Sequence, residues 1–255
     1  MSNDVTLDVD DGVAFITLNR PERLNALTVG WVDDFIRAID EVGDEAAVVV
    51  RAAGRAFCAG ADLAEHPVFR LDDAYERMAH VERAYQVVRK LRALPQPVIA
   101  AVQGVCAGAG LSVAVACDLR LAADDARFSL DFVRLGVIPD MGASYHVPAV
   151  VGTTRAMELA LLAERIDAVE AERIGLVNRV VPAADLWAEA EAMARRVAAM
   201  PPMAVRAAKR VVHSLHRLPA DEALSEEAWT VNALVAMPES RAAVAAFVNR
   251  KRTNP

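Results

Sequence analysis

Two short runs of small residues are the segments of this chain best suited to hold an oxygen atom of a ligand. They are residues 57–63 (FCAGADL) and residues 104–112 (GVCAGAGLS). Each follows an apolar, strand-like stretch, and small side chains let a ligand approach the backbone closely. Two such turns can direct two amide N–H groups at one oxygen, which is how an oxyanion is stabilised. The pattern therefore indicates chemistry at a carbonyl group.

Ala59 in the first turn and Ala109 in the second are the predicted N–H donors. The second turn lies where a strand passes into a helix, and the N–H groups at a helix start are unpaired and partially positive. Either turn could instead be purely structural. Gly108 and Gly110 also begin a dinucleotide-binding pattern, but position 113 holds Val where the third glycine would be, which disfavours that reading.

Asp140 is the predicted general base. It follows a long apolar stretch and lies between Pro139 and Gly142. A carboxylate held against apolar surface is harder to ionise and is therefore a stronger base. The alternative is that Asp140 caps the start of a helix, a role that Asp fills readily. A nucleophilic Ser112 is disfavoured, because the chain has no G-x-S-x-G motif around it.

The elements that would position these residues alternate between strands and helices. Strands are predicted over residues 13–18, 47–51, 98–102 and 119–122, and helices over residues 28–39, 72–93 and from 111 to 117. This alternation predicts an α/β fold with largely buried strands. Beyond residue 182 the pattern is helical only, over residues 184–199, 203–217, 221–236 and 239–251. We therefore expect a core of residues 1–200 and a helical region of residues 201–255.

The composition narrows the class of protein. The chain has 255 residues, of which 55% are hydrophobic, enough for a sizeable core. Its formal charge of −7 disfavours nucleic acids and membrane surfaces as partners. Cys58, Cys106 and Cys117 lack metal-ligand spacing and are expected to be buried thiols, so no metal is predicted. Without a signal peptide or a long apolar run, a cytoplasmic location is expected.

Taken together, the motifs resemble those of the crotonase superfamily, the enoyl-CoA hydratase/isomerase family. The matching segments are residues 19–27 (NRPERLNAL), both turns, and residues 128–152, 163–168 (AERIDA), 171–177 (AERIGLV) and 202–209 (PMAVRAAK). The resemblance implies a spiral of ββα units acting on acyl-CoA thioesters. It implies no separate cofactor, because coenzyme A is part of the substrate. It also implies a homotrimer or a dimer of trimers, assembled through residues 201–255.

The same resemblance assigns roles to individual residues. Ala59 and Ala109 would supply the oxyanion-hole N–H groups, with Asp140 as the acidic residue that many family isomerases use. The residues that would contact the substrate or its CoA portion are Arg23, Leu24, Ala61, Asp62, Leu63, Phe132 and Arg250. Of these, Asp62 is expected to be structural.

Two departures from the family pattern bear on the reaction. Family hydratases use two glutamates, and ungapped counting places Ser112 and Phe132 at those positions. Ordinary hydration is therefore not expected, and the resemblance favours a double-bond (3-enoyl to 2-enoyl) or ring isomerase. The alternatives are a hydratase with non-standard catalytic residues, a dehalogenase-like enzyme with Asp140 as nucleophile, and a non-catalytic or RNA-associated homologue.

Overall fold

Strands and helices alternate along most of the chain. The computed structural model describes residues 3–253, except for the side chains of residues 216 and 250–253. The strands are β1 (Val5–Asp10), β2 (Val13–Leu18), β3 (Ala47–Ala52), β4 (Val98–Val102), β5 (Val105–Ala107), β6 (Leu119–Ala123), β7 (Arg127–Ser129), β8 (Ile166–Asp167) and β9 (Arg179–Val181). The α-helices are α1 (Val29–Asp40), α2 (Ala74–Ala93), α3 (Ala109–Ala116), α4 (Ala143–Leu162), α5 (Ala168–Arg173), α6 (Leu186–Ala198), α7 (Pro202–Ser214), α8 (Ala220–Val235) and α9 (Pro238–Thr253). This order confirms the predicted α/β class.

The larger of two sheets separates two hydrophobic clusters. Its strands lie in the order β1-β2-β3-β4-β6-β9. β1 is antiparallel to β2, and the other neighbours are parallel. Because side chains alternate between the faces of a strand, β2 contributes to both clusters. Ala14 and Ile16 pack in one, and Val13 and Phe15 pack in the other. Because both faces of these strands are buried, their sequences are continuous runs of mainly apolar residues.

Helix α1 begins where its sequence predicts. The Thr28 hydroxyl oxygen accepts a hydrogen bond from the Trp31 N–H at 3.1 Å, which satisfies one of the amides left unpaired at the helix start. Trp31 and Phe35 are fully buried, with their ring centroids 5.0 Å apart in an edge-to-face arrangement. The cap and the aromatic pair fix α1 against the sheet.

A second sheet of three strands, in the order β5-β7-β8, carries the second small-residue turn. β5 pairs in parallel with β7, and β7 is antiparallel to β8. Gly108 alone separates β5 from α3. The sheet therefore fixes the position and direction of the first turn of α3.

Helices account for the regular structure beyond residue 201 in the described part of the chain. Asp118 anchors α7 to the core, since its carboxylate lies 2.8 Å from the Lys209 ammonium and 2.9 Å from the His213 Nε2. Within residues 3–253, no single helix has the length and apolarity to cross a membrane; only the bent pair formed by α8 and residues 238–249 meets that test. The domain division at residue 200 stays a prediction.

Seven of the strands and α-helices were not predicted from the sequence: β1, β5, β7, β8, β9, α4 and α5. Strand β1 carries acidic residues at two of its exposed positions, Asp8 and Asp10, so its sequence lacks the apolar run of a typical strand although it pairs with β2. Helix α4 contains Pro148 and is kinked at Gly152, whose φ is 77°. Because Pro and Gly usually interrupt a helix, the sequence of this segment does not predict a helix, although tertiary packing stabilises one.

Candidate active site

The two small-residue turns lie side by side because the segments before them pair in parallel. The Cys58 N–H donates to the Val105 carbonyl at 3.0 Å, and the Ala107 N–H donates to the Cys58 carbonyl at 2.9 Å. Gly110 packs directly on this pairing, since a Cβ built on it would lie 2.4 Å from the Cys58 carbonyl oxygen. Position 110 therefore has room for glycine only, and this brings the two turns together.

The amide of Ala59 is already used within the protein. Its N–H donates to the Leu24 carbonyl at 3.0 Å. Leu24 presents that carbonyl from a left-handed conformation, with φ of 52°. An amide committed to a backbone carbonyl is not free for a ligand oxygen, so this geometry corrects the prediction for Ala59.

Ala61, two residues further on, has the available amide. Leu27 pairs with this turn through two hydrogen bonds. The Leu27 N–H donates to the Gly60 carbonyl at 2.8 Å, and the Asp62 N–H donates to the Leu27 carbonyl at 2.9 Å. The polar backbone groups of the residue between them point to the opposite side of the strand. Within residues 3–253 the Ala61 N–H has no hydrogen-bond partner, and Ala61 lines a cavity. From the sequence, Ala61 was expected only among the residues that contact the substrate.

Ala109 has the second available amide. It is the first residue of α3, after Gly108, whose own N–H donates to the Ser129 carbonyl at 3.0 Å. A helix leaves its first N–H groups without intrahelical partners, and the partial positive charge there favours an anion. The Ala109 N–H has no partner among the described residues, and Ala109 lines the same cavity as Ala61.

That cavity holds one carboxylate. Its volume is about 60 Å³, and it adjoins a chamber of about 320 Å³. Residues common to both are Val68, Phe69, Val81 and Asp140. The walls are otherwise mainly apolar, as in most small-molecule sites. Asp140 is the sole Asp or Glu among the residues that line these two spaces.

Asp140 is poised to act as a base. Its side chain is half-buried, and its Oδ1 has no hydrogen-bond partner within the described residues. Burial disfavours the charged form and raises the pKa of Asp140 from 3.8 to about 6. It therefore ionises near neutral pH while remaining more basic than an ordinary carboxylate.

The raised pKa of Asp140 has a consequence for stability. Ionisation of Asp140 opposes folding, because burial disfavours its charged form. The free energy of unfolding therefore decreases as pH rises from 3.8 through about 6. This difference in pKa corresponds to a destabilisation of at most about 3 kcal/mol when Asp140 is ionised, and partial solvent exposure of the side chain reduces that value. We expect Asp140→Asn to be more stable than the wild type by about 1–2 kcal/mol near pH 8, and equally stable near pH 3. Urea unfolding at both pH values measures this, and a gain confined to acid pH would contradict it.

Ser112 and Phe132, which ungapped counting places at the two hydratase glutamate positions, are not carboxylates. Ser112 is fully buried, and its hydroxyl donates to the main-chain carbonyl of Asp140 at 2.9 Å. Phe132 is 7% exposed and packs beside the second turn, 3.9 Å from a Cβ built on Gly108. Phe132 is not among the residues that line the cavity with Asp140, and its assignment as a substrate contact stays a prediction. Ser112 ties α3 to the loop that carries Asp140.

Asp62 is structural, as its local sequence suggests. Its carboxylate accepts hydrogen bonds from the amides of Ala64 and Glu65, at 3.1 and 3.2 Å, and from Arg20 at 2.8 Å. The hydrogen bond from Arg20 is the main cause of the lowered pKa of Asp62. This ion pair stabilises the loop after the first turn and leaves Asp62 outside the cavity.

The other predicted CoA contacts lie near the first turn or outside the described part of the chain. Arg23 is half-exposed and pairs with Glu65 at 3.1 Å. Leu63 is 49% exposed, so both side chains are accessible to a ligand at the surface. Leu24 contributes the carbonyl that accepts the hydrogen bond from the Ala59 N–H. The Arg250 side chain is outside the described residues.

Tyr85 and His66 are polar residues of the cavity that sequence reasoning missed. Tyr85 is half-buried on α2, and burial followed by the nearby charge of Asp140 raises its pKa. His66 is 6% exposed, and burial lowers its pKa, so it is neutral. A signal was available for Tyr85, because Val81 and Val88 share its helical face.

A larger cavity, of about 770 Å³, lies between the end of α2 and helices α7 and α8. Its lining includes Arg92, Arg206 and Arg217 but neither of the free amides and no carboxylate. No group of three His, Cys, Asp or Glu side chains in the described part of the chain is placed to hold a metal ion. The narrower cavity, with two amides and one basic carboxylate, is therefore the candidate active site.

Fold and site together define an α/β protein with two free backbone amides and one half-buried carboxylate in the same cavity. The sequence profile of the family described as enoyl-CoA hydratase/isomerase matches residues 8–254. The chain belongs to this family, which confirms the resemblance to the crotonase superfamily.

The relatives carry both names of the family. The chain is 36% identical to probable enoyl-CoA hydratase echA8 of Mycobacterium tuberculosis, over 97% of this chain and 95% of that protein. It is 38% identical to the 1,2-epoxyphenylacetyl-CoA isomerase of Escherichia coli, over 81% and 80% of the two chains. A crystal structure of an enoyl-CoA hydratase from Mycobacterium smegmatis superimposes with a TM-score of 0.91, at 31% identity over 98% and 97% of the chains. The crotonase fold is thus confirmed.

Proposed function

We propose that this enzyme is an isomerase that moves the double bond of a 3-enoyl-CoA thioester to the 2-position, or carries out a related ring isomerisation. The observation that carries this proposal is a single carboxylate in the cavity of the two free amides. Ser112 and Phe132, where ungapped counting places the hydratase glutamates, support it. An isomerase needs one group that removes and returns a proton. Hydration needs groups that also activate a water molecule.

In the proposed reaction, the thioester oxygen binds between the amides of Ala61 and Ala109. Asp140 removes a proton from C2, and the electron pair delocalises through the double bond and the carbonyl to give a dienolate. The negative charge on the thioester oxygen is stabilised by the two N–H groups, each worth about 3–4 kcal/mol of barrier. Protonated Asp140 then delivers the same proton to C4, which leaves the double bond at C2 and restores the carboxylate.

The environment of Asp140 supports this cycle. A pKa of about 6 means that the carboxyl group is ionised at neutral pH yet readily accepts a proton. The mainly apolar wall limits exchange of that proton with water while the dienolate exists. Ser112 holds the main chain of Asp140 and keeps the carboxylate near the two amides.

The surface of the helical region supports an oligomer. Trp229, Leu224 and Val235 on α8 are 72%, 63% and 62% exposed. Large exposed apolar residues grouped on one element mark an interaction surface. A homotrimer or a dimer of trimers would cover them, with acyl-CoA as the ligand of each subunit.

The fate of a labelled proton tests the proposed reaction. Hex-3-enoyl-CoA carrying deuterium at C2 is incubated with the enzyme in ordinary water, and the product is analysed by mass spectrometry and NMR. We expect hex-2-enoyl-CoA with part of the deuterium at C4, because one shielded carboxyl group transfers it. Absence of deuterium from C4 would contradict the single-carboxylate transfer. Rapid hydration of hex-2-enoyl-CoA without isomerisation would show a hydratase instead.

A further inference from the structure

Two hydrogen-bond donors in the cavity have no role in the proposed proton transfer. They are the Tyr85 hydroxyl and the neutral imidazole of His66, and both line the space that contains Asp140 and the two free amides. Polar groups in a mainly apolar cavity normally have partners, and each exception calls for an explanation. A ligand atom is the direct explanation where the groups face an open cavity.

The Tyr85 hydroxyl has an unused proton. Burial raises the pKa of Tyr85, and the charge of Asp140 raises it further, so the group remains O–H at neutral pH. No acceptor for the O–H is present among the described residues.

The His66 imidazole, which lines the same cavity, also has an unused N–H. Its Nδ1 accepts a hydrogen bond from the Val68 N–H at 3.4 Å, so the proton of the neutral ring is on Nε2. The side chain is 6% exposed, and the Nε2 has no partner in the described part of the chain. The ring packs edge-on against Phe69, with centroids 6.2 Å apart, which holds it in place.

We propose that Tyr85 and His66 select an acyl group that carries a hydrogen-bond-accepting oxygen, such as an ether, epoxide or hydroxyl oxygen, over an unsubstituted hydrocarbon chain. This inference rests on the proposed function, since it takes the thioester oxygen to occupy the amides of Ala61 and Ala109. A hydrocarbon chain in this cavity would leave both donors buried without partners. Sites built to hydrogen-bond a substrate oxygen strongly reject analogues that lack it.

Binding of two unreactive thioesters of equal length tests the selection without requiring turnover. The pair is 5-methoxypentanoyl-CoA and heptanoyl-CoA, which differ by one ether oxygen in place of a methylene group. Dissociation constants are measured by isothermal titration calorimetry on the full-length protein. We expect the wild type to bind the ether at least about 10-fold more tightly.

Two variants assign the preference to the two donors. Tyr85→Phe removes the hydroxyl, and His66→Asn removes the Nε2 proton while its side-chain oxygen can still accept from Val68. Each is expected to weaken binding of the ether and to leave heptanoyl-CoA binding unchanged or stronger. Tyr75→Phe is the matched control, because Tyr75 lies on the same helix and is 88% exposed. It should retain the full preference.

The outcomes separate this inference from the proposed reaction. Equal affinity for the two thioesters, or a preference for heptanoyl-CoA, overturns the inference whatever reaction the enzyme catalyses. A loss of affinity of the same size for both compounds in Tyr85→Phe also overturns it, because the hydroxyl would then serve Asp140 or the pocket shape. Failure to isomerise both hex-3-enoyl-CoA and 6-methoxyhex-3-enoyl-CoA, together with an intact ether preference, overturns the proposed reaction alone.

Discussion

Replacing Asp140 by Asn is expected to reduce kcat/KM for isomerisation of hex-3-enoyl-CoA by about 10³-fold or more, near the upper end of what a positioned base contributes. The amide cannot accept the C2 proton, and no other Asp or Glu among the residues lining the two spaces can replace it. The two amides would still bind the thioester, so KM should change far less than kcat.

The pH profile of the wild type gives an independent check on this assignment. Asp140 must be ionised to act as a base, so kcat/KM should increase about tenfold per pH unit in acid and level off above about pH 6. In Asp140→Asn this inflection should disappear from any residual activity. A profile unchanged by the substitution would mean that another group is titrating.

Asp131→Asn is the control for the loss of a carboxylate in this region. Asp131 accepts a hydrogen bond from the Ser129 hydroxyl at 2.6 Å and lies outside the cavity. We expect its kcat/KM to stay within about twofold of the wild type, as for surface substitutions away from a site. The assignment of Asp140 is wrong if the two variants lose activity equally or if Asp140→Asn remains near the wild-type rate.

Replacing Gly110 by Ala is expected to damage both the fold and the site. The new Cβ would lie 2.4 Å from the Cys58 carbonyl oxygen and 2.7 Å from the Cys58 Cβ, so one of the two segments must move. Overpacking of this kind costs about 1–3 kcal/mol. Ala is favoured over Gly within a helix by no more than about 1 kcal/mol, so the net effect is destabilising.

The same displacement should lower activity. Cys58 leads into the turn that carries the Ala61 amide, while Gly110 follows Ala109 directly, so separating them spreads the two donors apart. A misplacement of about 1 Å is enough to reduce the rate by about 10²-fold. Urea unfolding and kcat with hex-3-enoyl-CoA, measured on the same preparation, report the two effects.

Gly43→Ala is the matched control for Gly110→Ala. Gly43 is exposed, and a Cβ there would meet only the Glu45 side chain, at 3.7 Å. This substitution should leave kcat unchanged and alter stability by less than about 1 kcal/mol. Normal stability and activity in Gly110→Ala would show that the Cys58 contact does not fix the distance between the amides.

Local sequence patterns were sufficient to predict most of the longer strands and helices and the acidic residue of the site. The cap at Thr28 and the apolar run of β2 follow rules that act over a few residues, and both are present as predicted. Asp140 was identified from the apolar stretch before it, and its raised pKa agrees with that reasoning. Helix α4 was missed because Pro148 and Gly152 interrupt its local pattern, while packing holds it together.

The amino-acid sequence by itself determined the α/β class, the family, the two small-residue turns and the acidic residue between Pro139 and Gly142. The tertiary structure decided which amides are free. Ala59 and Ala61 are equivalent by residue type, but the Leu24 carbonyl occupies the first, and the pairing with Leu27 turns the second toward the cavity. Tyr85 joins the site in the same way, because α2 folds over the loop of Asp140. Hydrogen-bond partners distant along the chain are fixed only when the chain has folded, and no local pattern records them.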